Sequence, residues 1–236
     1  MAEYSQWYPY LNIQDSYNDM SQSVKLPRII CDYLIDAPKG DYTPADNNLY
    51  SRCRFWKYLY YDGANPLNER LPDIEEKMSV VFNPNAPENP PTDKGYRLIP
   101  EIWVKQSQIK AQTRVYIYLG REVPNDDFKT VVAVHFAIWS HYTYENNTKA
   151  EAYSRTVAIE QSLIEALVGV NMTGIGTFHF NKRQHSDCQG RPIFDGDINV
   201  GRELVLGLEL ATVANSSING TDNMPNYTSD GKIKLW

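Results

Sequence analysis

The stretch TFHFNKRQHSDCQG, residues 177–190, gathers His179, His185, Asp187 and Cys188, the side-chain types that bind zinc. Their surroundings speak against a metal centre. His179 alternates with apolar residues as it would in a strand. His185, Asp187 and Cys188 sit among Lys182, Arg183, Gln184, Ser186 and Gly190, the composition of a surface loop. No second cluster supplies a regular ligand spacing, so a polar loop is favoured and no metal is expected. His135 and His141 are six residues apart on one predicted strand face. At about 3.3 Å per residue they stand roughly 20 Å apart, too far to share an ion.

Nucleophilic and phosphate-binding motifs are missing as well. The chain has no G-x-S-x-G, no H-E-x-x-H and no P-loop. GIGTFHF carries two glycines of a dinucleotide fingerprint but leads into a strand, so it offers no helix amides to a phosphate. The acidic pairs Glu75-Glu76 and Asp126-Asp127 fall on predicted solvated faces or turns. Lys182, Arg183 and Arg191 form a small basic patch surrounded by Asp187, Asp195 and Asp197. No catalytic residue and no cofactor is predicted, and a binding or assembly component is expected rather than an enzyme.

Bulk properties narrow the class further. A chain of 236 residues with 42% hydrophobic content can bury a real core. A net charge of -6 and a pI near 5.3 lack the basic footprint of a nucleic-acid-coating protein. Tyrosine stands out, with 17 copies against 7 phenylalanines; its ring packs while its hydroxyl needs a polar partner, which suits wet protein contacts. Three cysteines without a C-x-x-C pair suggest no disulfide framework and a reducing compartment. MAEYSQWYPY lacks the basic start and apolar run of a secretory signal, and no segment has the roughly 18–20 apolar residues of a membrane helix. A soluble intracellular product is expected.

Residue patterning predicts three parts. Residues 1–95 read as an irregular and helical N-terminal extension. Within it, LPRIICDYLIDAPKG predicts a short helix with Pro27 in its first turn and an apolar stripe of Ile29, Ile30, Tyr33 and Leu34, ended by Ala37-Pro38. NNLYSRCRFWKYLYYDG has Leu49, Cys53, Trp56 and Tyr60 at helical spacing, although its aromatic density also suits a strand, and helix is the favoured reading. Pro72 and Asp73 mark another helix start, and the proline-rich NPNAPENPPTDKG must be an extended loop.

Residues 96–213 read as an α/β core. In RVYIYLG, Val115, Ile117 and Leu119 alternate with Arg114, Tyr116 and Tyr118. In TVVAVHFAIWSHY, Val132, Val134, Phe136 and Ile138 share one face; the small and mixed opposite face implies a cover. Thr148 and Glu151 match a capping box opening a long helix over 148–170. TFHF and NVGRELVLGLELATV complete the strands, with Leu204, Leu206, Leu208 and Leu210 on one side. Residues 214–236 are a polar tail with an apolar anchor of Ile233, Leu235 and Trp236. The fold class is therefore α+β: an antiparallel or mixed sheet packed against one or two helices.

The run RVYIYLG, VVAVHFAIWSH, SRTVAIEQSLIEALVG, GIGTFHFNKR and NVGRELVLGLEL resembles the tail terminator or neck proteins of long-tailed bacteriophages. The similar features are the strand His135 to His141, a helix after Arg155, the turn Gly174 to Gly176, and the apolar strand Gly201 to Leu210. The resemblance implies a ring, usually a hexamer, that terminates the tail tube and joins it to the neck, with NKRQHSDCQGRPIFDGDIN as a long projecting hairpin. It implies a virion location after assembly in the host cytoplasm. Partners would be further copies of the chain and the tail-tube and neck or connector proteins, with DNA only in transit through the channel and no membrane. The expected assembly interface comprises Tyr116, Tyr118, Trp139, Lys182, Arg183, His185, Arg191 and Trp236. Alternatives are another phage connector, stopper or tail-tube component, a metal-dependent hydrolase, or a carbohydrate-binding module.

Overall fold

Three long alternating segments build the centre of the molecule. In the computed structural model, which describes residues 22–35, 47–101, 111–126, 129–145, 154–172, 176–180, 191–195 and 199–211, they are β2 (Arg114–Asp126), β3 (Lys129–His141) and β7 (Asn199–Ala211). The short strands are β1 (Leu98–Ile99), β4 (Asn171–Met172), β5 (Gly176–His179) and β6 (Arg191–Asp195). The seven strands form one mixed sheet in the order β1-β2-β3-β7-β5-β4, with β6 also on β7. β1 runs parallel to β2 and every other pairing is antiparallel. Pro100 follows β1 and has no N–H to extend it.

The helices are α1 (Gln22–Ile35), α2 (Asn47–Tyr60), α3 (Ile74–Ser79), α4 (Tyr142–Glu145) and α5 (Arg155–Leu167). They cover the sheet face that carries Val115, Ile117, Val134, Phe136, Ile138, Leu204, Leu206 and Leu208. Leu26, Ile30 and Leu34 of α1, Phe55, Trp56 and Leu59 of α2, and Ile159, Leu163 and Leu167 of α5 complete the same core. Each such side chain contributes about 1.5–3 kcal/mol by leaving water. The core is continuous across residue 95, where the composition of the chain changes.

Helix ends are tied by side chains from distant parts of the chain. At the end of α1, the carbonyls of Tyr33, Leu34 and Ile35 accept from Arg52, Trp56 and Lys77 at 2.8, 2.7 and 3.4 Å. At the end of α2, Arg97 donates to Leu59 O at 2.8 Å and pairs with Asp62 at 2.5 Å. Arg155, wholly buried, donates to the carbonyls of Tyr58 (2.9 Å), Tyr61, Gly63 (2.7 Å) and Tyr144 (3.3 Å). The last carbonyls of a helix have no intrahelical donor and sit at the negative end of its dipole, so buried cations satisfy both needs.

Several details differ from the expectations. α1 begins at Gln22, so Pro27 lies inside it and removes one intrahelical bond; the expected stop at Ala37-Pro38 lies outside the described residues. α3 begins as expected: Asp73 and Glu76 exchange the two bonds of a capping box, each at 2.9 Å. The helix expected over 148–170 starts instead at Arg155, because Ser154 is extended with ψ 152; Thr148 and Glu151 lie outside the described residues. Its first turn is capped by Glu145, whose carboxylate accepts from Thr156 N at 3.1 Å and Thr156 Oγ1 at 2.5 Å.

Residues 181–190 and 196–198 of the expected projecting hairpin lie outside the described residues. β5 pairs with Leu210 to Gly207 and β6 with Glu203 to Asn199, on the same edge of β7 and in the same direction. β5, covered in turn by β4, and β6 thus both line that edge of β7 with residues 180–190 between them in sequence, and β6 and β7 form a hairpin. The proline-rich loop 83–95 folds on its own chain: the Tyr96 hydroxyl donates to Ala86 O at 2.7 Å, and Lys94 lies 4.3 Å from the Tyr60 ring centre.

Candidate assembly face

The sheet face turned away from the helices carries what chemistry the described residues offer. Strand alternation places Tyr116 and Tyr118 of β2, His135, Ala137 and Trp139 of β3, and Glu203 and Val205 of β7 on it. Register then sets the neighbours: Tyr118 opposes His135, Trp139 opposes Gly201, and Arg191 opposes Glu203.

Glu203 is the hub. Its side chain is 7% exposed, yet it holds a negative charge. Oε1 accepts from the Tyr118 hydroxyl at 2.7 Å and lies 2.9 Å from His135 Nδ1, while Oε2 accepts from Arg191 Nε at 2.7 Å. Burial alone would raise its pKa; the bonds from His135, Tyr118 and Arg191 outweigh burial and hold it down at about 2. The Tyr118 hydroxyl moves the other way, first through burial and then through its bond to the carboxylate. Its ring stacks on His135 with centroids 4.9 Å apart.

Two glycines make the packing possible. A Cβ on Gly201 would stand 2.7 Å from both Ile193 and the Trp139 ring, so both side chains meet above bare backbone. A Cβ on Gly120 would stand 2.2 Å from His135 Nε2. Trp139, Tyr118 and Ile193 are half-buried and pack on an inner cluster of Phe82, Tyr96, Ile99, Tyr116 and Ala137. Phe82 and Tyr96, edge to face at 5.2 Å, thus cover one end of this sheet face.

Of the residues predicted as an interface, four are brought together here. Tyr116 lies within the inner cluster, 7% exposed, while Tyr118, Trp139 and Arg191 reach the surface. Lys182, Arg183, His185 and Trp236 lie outside the described residues, as do Asp187 and Cys188. His179 is on β5 opposite Gly207. Among the described residues no three His, Cys, Asp or Glu side chains could share a metal ion, and no helix is long and apolar enough to cross a membrane. Cys31 and Cys53 are buried and not joined in a disulfide. Sequence reasoning missed Glu203 and the role of His135. The available signal was a charged residue recurring at Glu203 and Glu209 on the second face of an otherwise apolar strand.

Comparison with known families matches residues 54–190, more than half of the chain, to the family described as YomW. The chain belongs to the YomW family. YomW is a phage-like family, which agrees with the phage association of the resemblance seen in the sequence. The YomW match takes in Arg97, Tyr118, His135, Trp139 and Arg155 and stops one residue before Arg191. No curated protein and no solved structure matches the chain.

Proposed function

We propose that this YomW-family chain is a structural virion protein that forms a ring, with six copies, at the tail–neck junction. It would terminate the tail tube and join it to the head connector, with DNA passing through the central channel. The role is architectural and uses no catalytic group. One observation carries the reading. The sheet face away from the helices displays half-buried Tyr118, Trp139 and Ile193 beside exposed Arg191, and its one acidic hub, Glu203, is already satisfied. Aromatic residues and arginine are the types enriched where proteins meet. A closed ring needs one patch of each copy to meet a different patch of the next, and this face supplies one of the two.

The test is native mass spectrometry with electron microscopy of the purified chain, alone and with tail-tube protein. A six-fold ring with a central hole is expected, and Trp139→Glu should break it while leaving the far-UV circular dichroism unchanged. A monomer under both conditions, or a ring indifferent to Trp139→Glu, overturns the reading.

A further inference from the structure

The carbonyls at the end of α2 are held by cations from distant parts of the chain. Arg155 donates to Tyr58 O and Tyr61 O, Arg97 to Leu59 O, and Lys94 Nζ to Tyr60 O at 3.4 Å. The two arginines are fixed there, Arg155 by further carbonyls and Arg97 by Asp62. Lys94 is seated differently. Tyr60 and Tyr61 meet at 83° with ring centres 5.0 Å apart and make an aromatic corner. The Lys94 ammonium stands in it, 4.3 Å from the Tyr60 ring centre and 5.5 Å from that of Tyr61. Both distances lie within the roughly 6 Å over which a ring face attracts a cation.

The corner suits a cation better than it suits this lysine. A primary ammonium carries three N–H donors and is strongly hydrated. Among the described residues Lys94 makes one long hydrogen bond and no ion pair. Burial, and then the nearby Arg97, pull its pKa below the ordinary value, although Asp62 and Glu76 pull the other way. The surroundings still favour positive charge. Asp62, Glu69, Asp73 and Glu76 act on the corner against Arg70 and Arg97. Tyr60 is also the last residue of α2, where the helix dipole is negative.

We propose that the Tyr60–Tyr61 corner is a binding site for a methylated ammonium group, with Lys94 as its removable plug. Such a group keeps the charge, brings few or no N–H groups to satisfy and gives up water cheaply, so ring faces can hold it. Lys94 is placed to leave. It lies half-buried near the end of the proline-rich loop 83–95. The bonds from Ala86 N to Asn83 O, Asn89 N to Ala86 O and Gly95 N to Thr92 O close within that loop, so they persist when the ammonium swings out. The site is separate from the proposed ring contact, which uses the sheet face turned away from the helices.

Titration with tetramethylammonium chloride tests this, read by calorimetry and by the upfield shift that ring faces impose on the methyl proton signal. Lys94→Ala should bind at least about tenfold tighter than the parent chain, because the plug is gone. Lys94→Met removes the same charge but refills the corner, so it should bind no better than the parent. Adding Tyr60→Leu or Tyr61→Leu to Lys94→Ala should abolish the gain, and tert-butanol, similar in size but uncharged, should bind none of these chains. Should Lys94→Ala fail to fold, the parent chain decides. Concentrated tetramethylammonium should then displace Lys94 and speed its acetylation by acetic anhydride several-fold over sodium chloride of equal strength, while Lys57, held by Leu67 O, stays unchanged. Trimethyllysine amide and phosphocholine separate the sources: tighter binding of the first supports a modified protein side chain, and of the second a choline head group. A folded Lys94→Ala chain that binds no better than Lys94→Met, binding that survives both ring changes, or unchanged Lys94 acetylation overturns the proposal. Ring formation is read by native mass spectrometry on the same samples, so either idea can fail alone.

Discussion

Arg155→Lys separates geometry from charge at the most heavily used side chain of the fold. The guanidinium is wholly buried and donates to four carbonyls, those of Tyr58 in the last turn of α2, of Tyr61 and Gly63 just beyond it, and of Tyr144 in α4. Three nitrogens spread in a plane make this possible. Nη1 serves Tyr58 and Tyr61, Nη2 serves Gly63, and Nε serves Tyr144. A lysine ammonium keeps the positive charge at the negative end of α2 but places all its donors on one atom. It can hold about two of the four carbonyls. Each buried carbonyl left without a donor costs about 1–3 kcal/mol, so Arg155→Lys should lose about 2–5 kcal/mol. A chain of this size loses about 2–4 °C in Tm per kcal/mol, so the midpoint should fall roughly 4–20 °C.

The assay is urea unfolding followed by circular dichroism, with Arg54→Lys as control. Arg54 meets Glu165 at 3.1 Å on a partly exposed face, where such pairs contribute about 0–1 kcal/mol. If Arg155→Lys costs less than about 1 kcal/mol, charge at the helix end suffices and the account of a four-carbonyl fork is wrong.

Two further outcomes follow from buried groups and close contacts. Burial pushes Asp32 of α1 up to about 6 from its ordinary 3.8, and its Oδ2 has no hydrogen-bond partner, whereas Glu203 is held down at about 2 from 4.5. The raised Asp32 makes the fold gain stability as pH falls from about 6 to 4, and the depressed Glu203 makes it lose stability as pH falls from about 4.5 to 2, each by about 3 kcal/mol. Urea midpoints should therefore peak near about pH 4 to 5. Asp32→Asn should remove the rise and Glu203→Gln the acid-side fall; midpoints that decline steadily from pH 7 to 4 in the parent chain would contradict the Asp32 account. Gly201→Ala should cost about 1–3 kcal/mol and shift Trp139 fluorescence, because its Cβ would overlap both the indole and Ile193; an unchanged emission maximum and midpoint would mean the two side chains do not share that space.

How much of this was legible in the sequence depended on how local each cause is. β2, β3 and β7 were readable because burial on one face imposes a period of two, and Val115, Val134 and Leu206 obey it. The start at Asp73 was readable because both halves of its capping box lie within four residues. The start of α5 was not: Thr148 and Glu151 fit the local pattern, but the group that caps the helix is the Glu145 carboxylate, eleven residues from Thr156. Arg155 was conspicuous by type, yet three of its four acceptors lie more than ninety residues earlier, and nothing nearby announces them. Composition suggested an N-terminal extension; Leu26, Phe55 and Trp56 show why composition alone does not describe it, since tyrosine- and asparagine-rich helices can still place one apolar stripe in the common core. The Glu203 row was hidden for a different reason. Tyr118, His135, Arg191 and Glu203 become neighbours only through the register of four strands.

That register bears on the assembly proposed for this face. A carboxylate left alone on a surface must shed water when a partner covers it, at a cost of several kcal/mol. Glu203 has already exchanged water for Tyr118, His135 and Arg191 within its own chain. Covering this part of the face therefore removes water from aromatic rings and from the guanidinium edge of Arg191, while the carboxylate keeps its donors. The four residues also lock β6, a five-residue edge strand, onto β7, so the surface is shaped before any neighbour arrives. A face prepared in this way gives up little freedom on contact, and that is the property a repeated ring interface needs.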